Sequence, residues 1–367
     1  MTAMSGRERF LAVLANKKPD RLACQMHNWM EYYLKNYLGS MDQFSAYDHF
    51  GMDPVIYIQP AYIYDAKDQA NWQIERIDLP ADQGRTNWMD VIHTPQGELS
   101  CRYSRNEFTY WCIDHLIKTE RDFELWNKYV PLPIKVDWTP VREAKAKIGD
   151  KGIVRAGFFD FGQGSPWQSF ATMYGTEESI MAAIDKPDWM KLVLGSLLQK
   201  KLKVIEIAGV IELDLVETGG GAGSSTVISP AMHREFCLPY DQLQHKAFHH
   251  AGTKCVYHLC GGLMPLLEIV AQNGADGLET MTPPAMGGDC DLAKAAKLVG
   301  DKLFFIGGFD QNKGFENGNP KLVKEMVYEL FRAKPQGGYI CSPSDHFFFG
   351  NPENIKAFSD AAKECIY

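Results

Sequence analysis

The sequence predicts an α/β protein folded as a (β/α)8 TIM barrel. Apolar, β-branched segments alternate with amphipathic segments, and eight such strands can be counted along the chain. The 367 residues are enough for one barrel-sized domain. A Rossmann-like sheet is the alternative, since it uses the same alternation. The glycine-rich run 219–223 gives that alternative little support, because it lacks the G-x-G-x-x-G spacing of a dinucleotide-binding loop.

The first part of the chain is less regular than the second. Strands are predicted at 22–27 and 54–58. Between 72 and 115, extended segments are broken by turns, and the Pro-Gln-Gly sequence at 95–97 is typical of a hairpin turn. We therefore predict a single domain over 1–367 with an N-terminal extended, hairpin-containing insertion at 72–115.

From residue 152 onward, strands and helices alternate regularly. The six strands predicted here are 152–158, 211–217, 254–258, 277–281, 303–306 and 338–341. In barrels of this type, functional side chains lie at the C-terminal ends of the strands. Polar residues at or near the predicted strand ends are His27, Asp160, Glu217, His258, Cys260, Glu279 and Cys341. We expect these side chains to meet at one mouth of the barrel.

Composition and charge exclude several classes of protein. The formal net charge of −8 argues against a nucleic-acid partner, which would select basic patches. No run reaches the roughly eighteen apolar residues of a membrane helix, and the charged N-terminal segment has no apolar signal core. Nine cysteines, unclustered and odd in number, indicate reduced thiols. We therefore expect a cytoplasmic protein without a membrane partner.

The most informative motif is His258-Leu259-Cys260, followed by two glycines. On a strand, residues i and i+2 project to the same side, so His258 and Cys260 face one way together. Cys341 would complete a set of one imidazole and two thiolates. Zinc accepts this set in catalytic sites that keep a fourth position open. The alternative is that all three are core residues, because a free cysteine packs like a small hydrophobic side chain.

Four segments carry a resemblance to a known family. They are 234–240, 258–261, 299–310 and 351–358. These segments resemble the uroporphyrinogen decarboxylase superfamily, and the similarity extends over nearly the whole chain. The resemblance implies a (β/α)8 barrel with its site at the C-terminal ends of the strands, in agreement with the strand count.

The superfamily contains both decarboxylases and corrinoid-dependent methyltransferases. The decarboxylases carry Arg-Gln-Ala-Gly-Arg-Tyr at the first strand end, where the arginines neutralise substrate carboxylates, but residues 26–32 here contain no arginine. The methyltransferase branch, which includes methylcobamide:coenzyme M methyltransferases, has a zinc site of the form His-x-Cys with a later Cys. His258, Cys260 and Cys341 are similar to it. The resemblance therefore implies a zinc methyltransferase, with Glu279 as a further, displaceable ligand.

The corrinoid is expected to come from a partner protein, because the chain has no Asp-x-His-x-x-Gly cobalamin-binding motif. Aromatic residues crowd the predicted rim and cations are few, which favours a flat, weakly charged substrate over the sulfonate of coenzyme M. We therefore predict O-demethylation of an aryl methyl ether, with the methyl group passing to cobalt. The alternatives are a methylcobamide:thiol methyltransferase, a metal-independent decarboxylase of a tetrapyrrole-like carboxylate, and a binding protein with structural zinc.

Several residues near the predicted strand ends are candidates for substrate contact. Glu279 is the predicted catalytic residue, and the predicted substrate-binding residues are His27, Asp160, Trp167, Glu217 and His346. For Glu217 and Asp160 the alternative role is hydrogen bonding to loop amides, and for Glu279 it is an acid solvated at the barrel rim. For His27 it is a buried histidine satisfied by the backbone, and for Trp167 it is packing.

Overall fold

A computed structural model describes residues 3–159, 161, 164–334 and 336–367. The strands are β1 (Ala23–Cys24), β2 (Val55–Tyr57), β3 (Ala61–Tyr64), β4 (Gln73–Asp82), β5 (Arg85–Thr94), β6 (Gly97–Arg105), β7 (Tyr110–Asp114), β8 (Pro133–Asp137), β9 (Ile153–Gly157), β10 (Leu215–Gly219), β11 (Lys254–His258), β12 (Gly277–Thr280), β13 (Phe304–Phe309) and β14 (Tyr339–Pro343).

The α-helices lie mainly between these strands. They are α1 (Gly6–Leu14), α2 (Glu31–Tyr37), α3 (Gln43–Phe50), α4 (Ala66–Ala70), α5 (Glu120–Tyr129), α6 (Thr139–Ile148), α7 (Pro166–Tyr174), α8 (Thr176–Asp185), α9 (Pro187–Ala208), α10 (Pro230–Phe236), α11 (Leu238–His250), α12 (Leu267–Val270), α13 (Leu292–Val299), α14 (Pro320–Ala333) and α15 (Pro352–Glu364). Among the described residues, no helix has both the length and the apolar composition needed to cross a membrane.

Eight parallel strands form the central sheet. Their order is β1-β14-β13-β12-β11-β10-β9-β2. From β9 to β14, strands that follow one another in the chain also lie side by side in the sheet. Every residue of β12 and of β14 is buried. Burial on both faces is expected of a parallel sheet that has helices on its outer face and packed side chains on its inner face. The predicted α/β class and its eight parallel strands are confirmed.

The central sheet is curled. His27 follows β1 and His258 ends β11, and three strands separate β1 from β11 in the sheet order. In a flat sheet, neighbours about 4.8 Å apart would put these strands roughly 19 Å from each other. The two imidazole centroids are nevertheless only 5.5 Å apart. This curl is consistent with a TIM-like barrel, and full closure into a (β/α)8 barrel stays a prediction.

A separate antiparallel sheet precedes the regular half of the chain. Its four strands run in the order β4-β5-β6-β7, and β3 pairs with β8 in a further two-stranded sheet. Buried Ile92 and Leu99 of the four-stranded sheet join a second hydrophobic core with Phe123 and Trp126 of α5. The larger core fills the central sheet and its surrounding helices. The division of the chain into one domain with an insertion at 72–115 stays a prediction.

Among the strand boundaries that differ from those predicted, two affect the site. The strand predicted at 211–217 runs instead over Leu215–Gly219, so Glu217 lies in its middle. The strand predicted to end at Cys341 continues to Pro343. A hydrogen-bonded ladder ends where its partner ends, and β14 remains paired with β13 as far as Pro343. The amino-acid pattern of one strand does not contain that information.

Candidate metal centre and active site

A cavity of about 680 Å³ opens at the C-terminal ends of the central strands. Five of the predicted site residues line it: His27, Glu217, His258, Cys260 and His346. The other lining residues are aromatic, amide, hydroxyl, acidic or glycine: Asn28, Tyr57, Gln59, Tyr62, Tyr64, Gly157, Phe159, Gly164, Thr218, Gly219, Gly220 and Asp345. The fold therefore brings residues from distant parts of the sequence to one opening.

Glu217, His258 and Glu279 form a compact group beside this cavity. One ligand atom from each lies within 4.8 Å of the others. His258 Nδ1 is 3.2 Å from Glu279 Oε1 and 3.5 Å from Glu217 Oε1. Parallel pairing explains the arrangement, since His258 is in register with Gly219 on one side and with Glu279 on the other. Gly219 has a φ of +84°, and a Cβ there would lie 2.4 Å from the His258 carbonyl oxygen, so this close approach requires glycine.

Arg155 of β9 holds the two carboxylates in place. Its side chain is completely buried. Nη1 donates to Glu279 Oε2 at 3.0 Å, and Nη2 donates to Glu279 Oε1 and to Glu217 Oε2, each at 2.8 Å. The guanidinium also stacks over the ring of Tyr57, with Cζ 4.8 Å from the ring centroid. Because a buried ion is stable only when it is paired and hydrogen-bonded, Arg155 and the two glutamates form one interdependent unit.

Sequence analysis did not single out Arg155, although a signal was present. Arg155 is the only charged residue in the otherwise apolar segment 152–158. A strand covered on both faces has no water to solvate a guanidinium, so an arginine at its centre needs a buried anionic partner. Glu217 and Glu279, already selected as candidate site residues, are those partners.

The environment of the group fixes the charges of Glu279 and His258. Burial alone would raise the pKa of Glu279, but the charge of Arg155 and the hydrogen bonds from His258 and Arg155 outweigh burial and hold that pKa far below its usual range. Burial alone would lower the pKa of His258, but hydrogen bonds with Cys260 and Glu279 and the charge of Glu217 raise it well above its usual value. Glu279 is therefore ionised at neutral pH.

Two more histidines stand beside His258. His27 is 6% exposed, and its ring centroid is 5.5 Å from that of His258 and 5.0 Å from that of His346. Burial lowers the pKa of His27 well below its usual value and also lowers the pKa of His346. The peptide N–H of His346 donates to Asp345 Oδ1 at 2.7 Å. His27 thus contacts two other imidazoles on the cavity wall.

The structure does not bring the three expected zinc ligands together. Cys260 lines the cavity and hydrogen-bonds to His258. Cys341 is completely buried, in register with Cys24, and shares its face of β14 with Tyr339. That face points toward the helices, because the Tyr339 hydroxyl lies beside Leu330 of α14.

Cys341 is therefore separated from the cavity by the sheet itself. Among the described residues, the set that brings three donors together is Glu217, His258 and Glu279. The set expected from the sequence is corrected in this respect, and the reason is the continued β14 ladder, which fixes the side to which residue 341 points. Burial raises the pKa of the Cys341 thiol well above its usual value.

The remaining predicted contacts have different outcomes. Trp167 is 1% exposed, donates from Nε1 to the Ala222 carbonyl oxygen at 2.9 Å, and packs against Phe236 in the second core. It does not line the cavity, so packing describes its role. Asp160 lies outside the described residues. Of the aromatic residues that crowd the predicted rim, Phe159 lines the cavity, while Trp29, Phe158 and Phe347 are buried in the core.

The donors of this group suit a divalent metal ion such as zinc. Imidazole nitrogen, carboxylate oxygen and thiolate sulfur are all zinc ligands, and Cys260 offers a sulfur next to His258. Arg155 binds Oε2 of Glu217 and both carboxylate oxygens of Glu279, while the Oε1 atoms of both glutamates face His258. Hydrogen bonds of this kind orient metal-binding carboxylates. Glu217, His258 and Glu279 are thus the residues best placed to hold a metal.

A curled parallel sheet with a cluster of ionisable residues at its C-terminal edge is the arrangement in which TIM-like enzymes build their active sites. The model of the family "Uroporphyrinogen decarboxylase (URO-D)" matches residues 133–365, well over half of the chain. The chain therefore belongs to the uroporphyrinogen decarboxylase family, which confirms the resemblance seen in its motifs. A comparison with curated protein sequences found no match.

Two solved structures match nearly the whole chain at low sequence identity. A methyltransferase from Methanosarcina mazei superposes with a TM-score of 0.68 at 14% identity, covering 98% of this chain and 99% of the other. A B12-independent methionine synthase from Shewanella sp. W3-18-1 superposes with a TM-score of 0.47 at 8% identity, covering 99% of this chain and 94% of the other. The first of these supports the fold over the full length of the chain.

Proposed function

We propose that this protein is a zinc-dependent methyltransferase that transfers the methyl group of an aryl methyl ether to the cobalt of a corrinoid held by a partner protein. Family membership and the fold shared with a methyltransferase support this class of reaction. The observation that carries the proposal is the group of Glu217, His258 and Glu279 beside the cavity. Two of these residues, Glu217 and His258, line the cavity, so a molecule bound there can reach the group.

Glu217, His258 and Glu279 would hold the zinc ion, with Cys260 as an adjacent fourth donor. When bound, the ion would supply Lewis acidity that stabilises negative charge on the oxygen from which the methyl group departs. The protein contributes the fixed placement of the donors. Arg155 keeps Glu279 ionised and bonds to both glutamates, whose Oε1 atoms face His258, so the site needs little rearrangement for binding.

The cavity wall favours an uncharged aromatic substrate. No lysine or arginine is found among the described residues that line it, and Arg155 is already paired with two carboxylates. Tyr57, Tyr62, Tyr64 and Phe159 provide apolar ring surface. A sulfonate or polycarboxylate would find no lysine or arginine on this wall, whereas a flat ether would find surfaces to pack against.

The proposed reaction is a displacement at the methyl carbon. The bond between the ether oxygen and the methyl carbon breaks, a bond between that carbon and cobalt(I) forms, and the phenolate takes a proton from solvent. Atoms and charge balance as aryl methyl ether plus cobalt(I) plus a proton giving phenol plus methylcobalt(III). Rate enhancement in such a step comes largely from positioning, and the chain's part is to hold the ether oxygen at the end of β11.

The test is a methyl-transfer assay with reduced corrinoid protein, zinc and a methoxyarene, followed by the cobalt absorption. We expect conversion to methylcobalamin with the wild-type chain and its loss in His258→Ala. The matched control is His250→Ala, because His250 is an exposed histidine at the end of α11. Methylation of a simple thiol by methylcobalamin, without any ether demethylation, would reverse the direction of transfer and favour the thiol methyltransferase alternative.

A further inference from the structure

His27 differs from the other buried histidines of the protein. His233 Nδ1 lies 2.8 Å from the Gly223 carbonyl oxygen, and His245 contacts both Asn273 O and Thr218 Oγ1, at 2.7 and 2.8 Å. His27 is 94% buried, but neither ring nitrogen has a hydrogen-bond partner in the part of the chain that the structure describes. Because the ring borders the cavity, a molecule bound there can supply the hydrogen bond that the protein does not.

The cavity is the place where a hydrogen-bond partner for His27 can bind. The imidazole lines the cavity, so its free nitrogens are accessible to a bound molecule. Its ring centroid is 5.5 Å from that of His258, which belongs to the proposed metal-binding group. A ligand whose reacting oxygen sits at that group would therefore present the neighbouring atoms of its own framework to His27.

We infer that His27 binds a hydroxyl group carried on the ring carbon next to the methylated oxygen, which makes ortho-hydroxylated aryl methyl ethers the substrate class of this site. The inference rests on the function proposed above. In such a molecule two oxygens lie side by side, so that one is held at the Glu217–His258–Glu279 group and the other bonds to His27. A neutral hydroxyl fits better than a carboxylate, because the described lining residues include no lysine or arginine and do include Asp345.

The experiment measures binding, without corrinoid, of three probes to zinc-loaded protein by titration calorimetry. The probes are 2-methoxyphenol, 4-methoxyphenol and methoxybenzene. We expect wild-type protein to bind 2-methoxyphenol roughly 3- to 10-fold more tightly than the other two, the range of one net hydrogen bond. His27→Phe should bring the three affinities together, and His27→Gln, which retains a hydrogen-bonding side chain, should keep part of the preference.

The matched control is His250→Phe, which should retain the wild-type ratio. The inference is overturned if wild-type protein does not prefer the ortho isomer, if it does not bind 2-methoxyphenol at all, or if His27→Phe keeps the preference. Circular dichroism establishes that each variant is folded. Failure of the proposed function has a different signature, namely normal ortho preference in binding together with no methyl transfer to the corrinoid protein.

Discussion

Glu279 and Asp241 are both completely buried carboxylic acids, yet they lie on opposite faces of the same sheet and carry different charges. Glu279, on the inner face, receives two hydrogen bonds from Arg155, which holds its pKa far below the usual range against the opposing effect of burial. Asp241 of α11 lies against the outer face. Burial raises its pKa to about 7, and its bonded neighbour is the Tyr257 hydroxyl at 2.8 Å.

The same strand supplies residues to both environments. Tyr257 and His258 are consecutive in β11, so one faces the helices and the other faces the interior. Between sheet and helices, Asp241 lies beside the Tyr257 hydroxyl and near Lys201. Within the curl, fully buried Arg155 bonds to two carboxylates, of which Glu279 is fully buried and Glu217 is 21% exposed. Since buried ion pairs rarely add net stability over apolar packing, we attribute the inner cluster to chemistry and the outer one to structure.

Removal of Arg155 should have the largest effect. In Arg155→Met the fully buried Glu279 carboxylate and the partly exposed Glu217 carboxylate lose their common cation, and the free energy of unfolding should fall by about 3–5 kcal/mol. Urea unfolding measures this. Arg76→Met is the matched control, because Arg76 forms the same two-bonded pair with Asp90 on the exposed antiparallel sheet and should give no measurable change. Equal effects of the two substitutions would contradict the proposed difference between the inner cluster and a surface pair.

Asp241 should make stability depend on pH. Between pH about 4 and about 7 the folded state keeps the Asp241 proton while the unfolded state has released it, so stability falls as the pH rises through this window and then levels off. The total decrease is up to about 4 kcal/mol. Asp241→Asn should remove this part of the slope in unfolding curves measured from pH 4 to 8. An unchanged slope in Asp241→Asn would show that Asp241 is ionised in the folded protein.

Substitutions on the inner and outer faces of the sheet should differ in their effect on the affinity for zinc. His258→Ala should lower the affinity for zinc by more than roughly 10- to 100-fold, which is the loss seen when a residue that hydrogen-bonds to a metal ligand is removed. Cys341→Ser should leave affinity unchanged, because this thiol faces Tyr339 and Cys24. Competition with a chromophoric chelator measures both. A strong loss in Cys341→Ser would restore that thiol to the ligand set.

The smallest expected effect is a difference between Cys260 and Cys341 in their rates of thiol labelling. In the native protein Cys260 lines the cavity and should react with iodoacetamide, while Cys341 is fully buried and should react only after unfolding. Bound zinc should slow the labelling of Cys260. Peptide mass spectrometry gives the extent of labelling at each site. Rapid labelling of Cys341 in the native protein would show that this thiol is accessible to the reagent.

The fold was predicted well from the sequence because the signals for strands and helices are local. Each of the eight predicted strands has a counterpart in the central sheet, and the family motifs agree with the class. From strand ends it was also possible to select His27, Glu217, His258, Cys260 and His346, all of which line one cavity.

The errors arise where orientation depends on a partner strand. Cys341 was expected at a strand end, but two more ladder pairs follow it and its side chain points away from the cavity. Trp167 is an aromatic residue whose neighbours along the chain do not reveal whether it faces a core or a site. Arg155 was readable as a charge in an apolar strand, although only the fold shows that Glu217 and Glu279 both reach it.

The central claim is that the metal is bound inside the curl of the sheet by Glu217, His258 and Glu279. Diffraction from zinc-bound crystals, recorded on both sides of the zinc absorption edge, tests it directly. We predict one anomalous difference peak among these three side chains, about 2.0–2.3 Å from the donor atoms. A peak beside Cys341 on the outer face, or the absence of a peak between His258 and the two glutamates in crystals that contain zinc, would contradict the account.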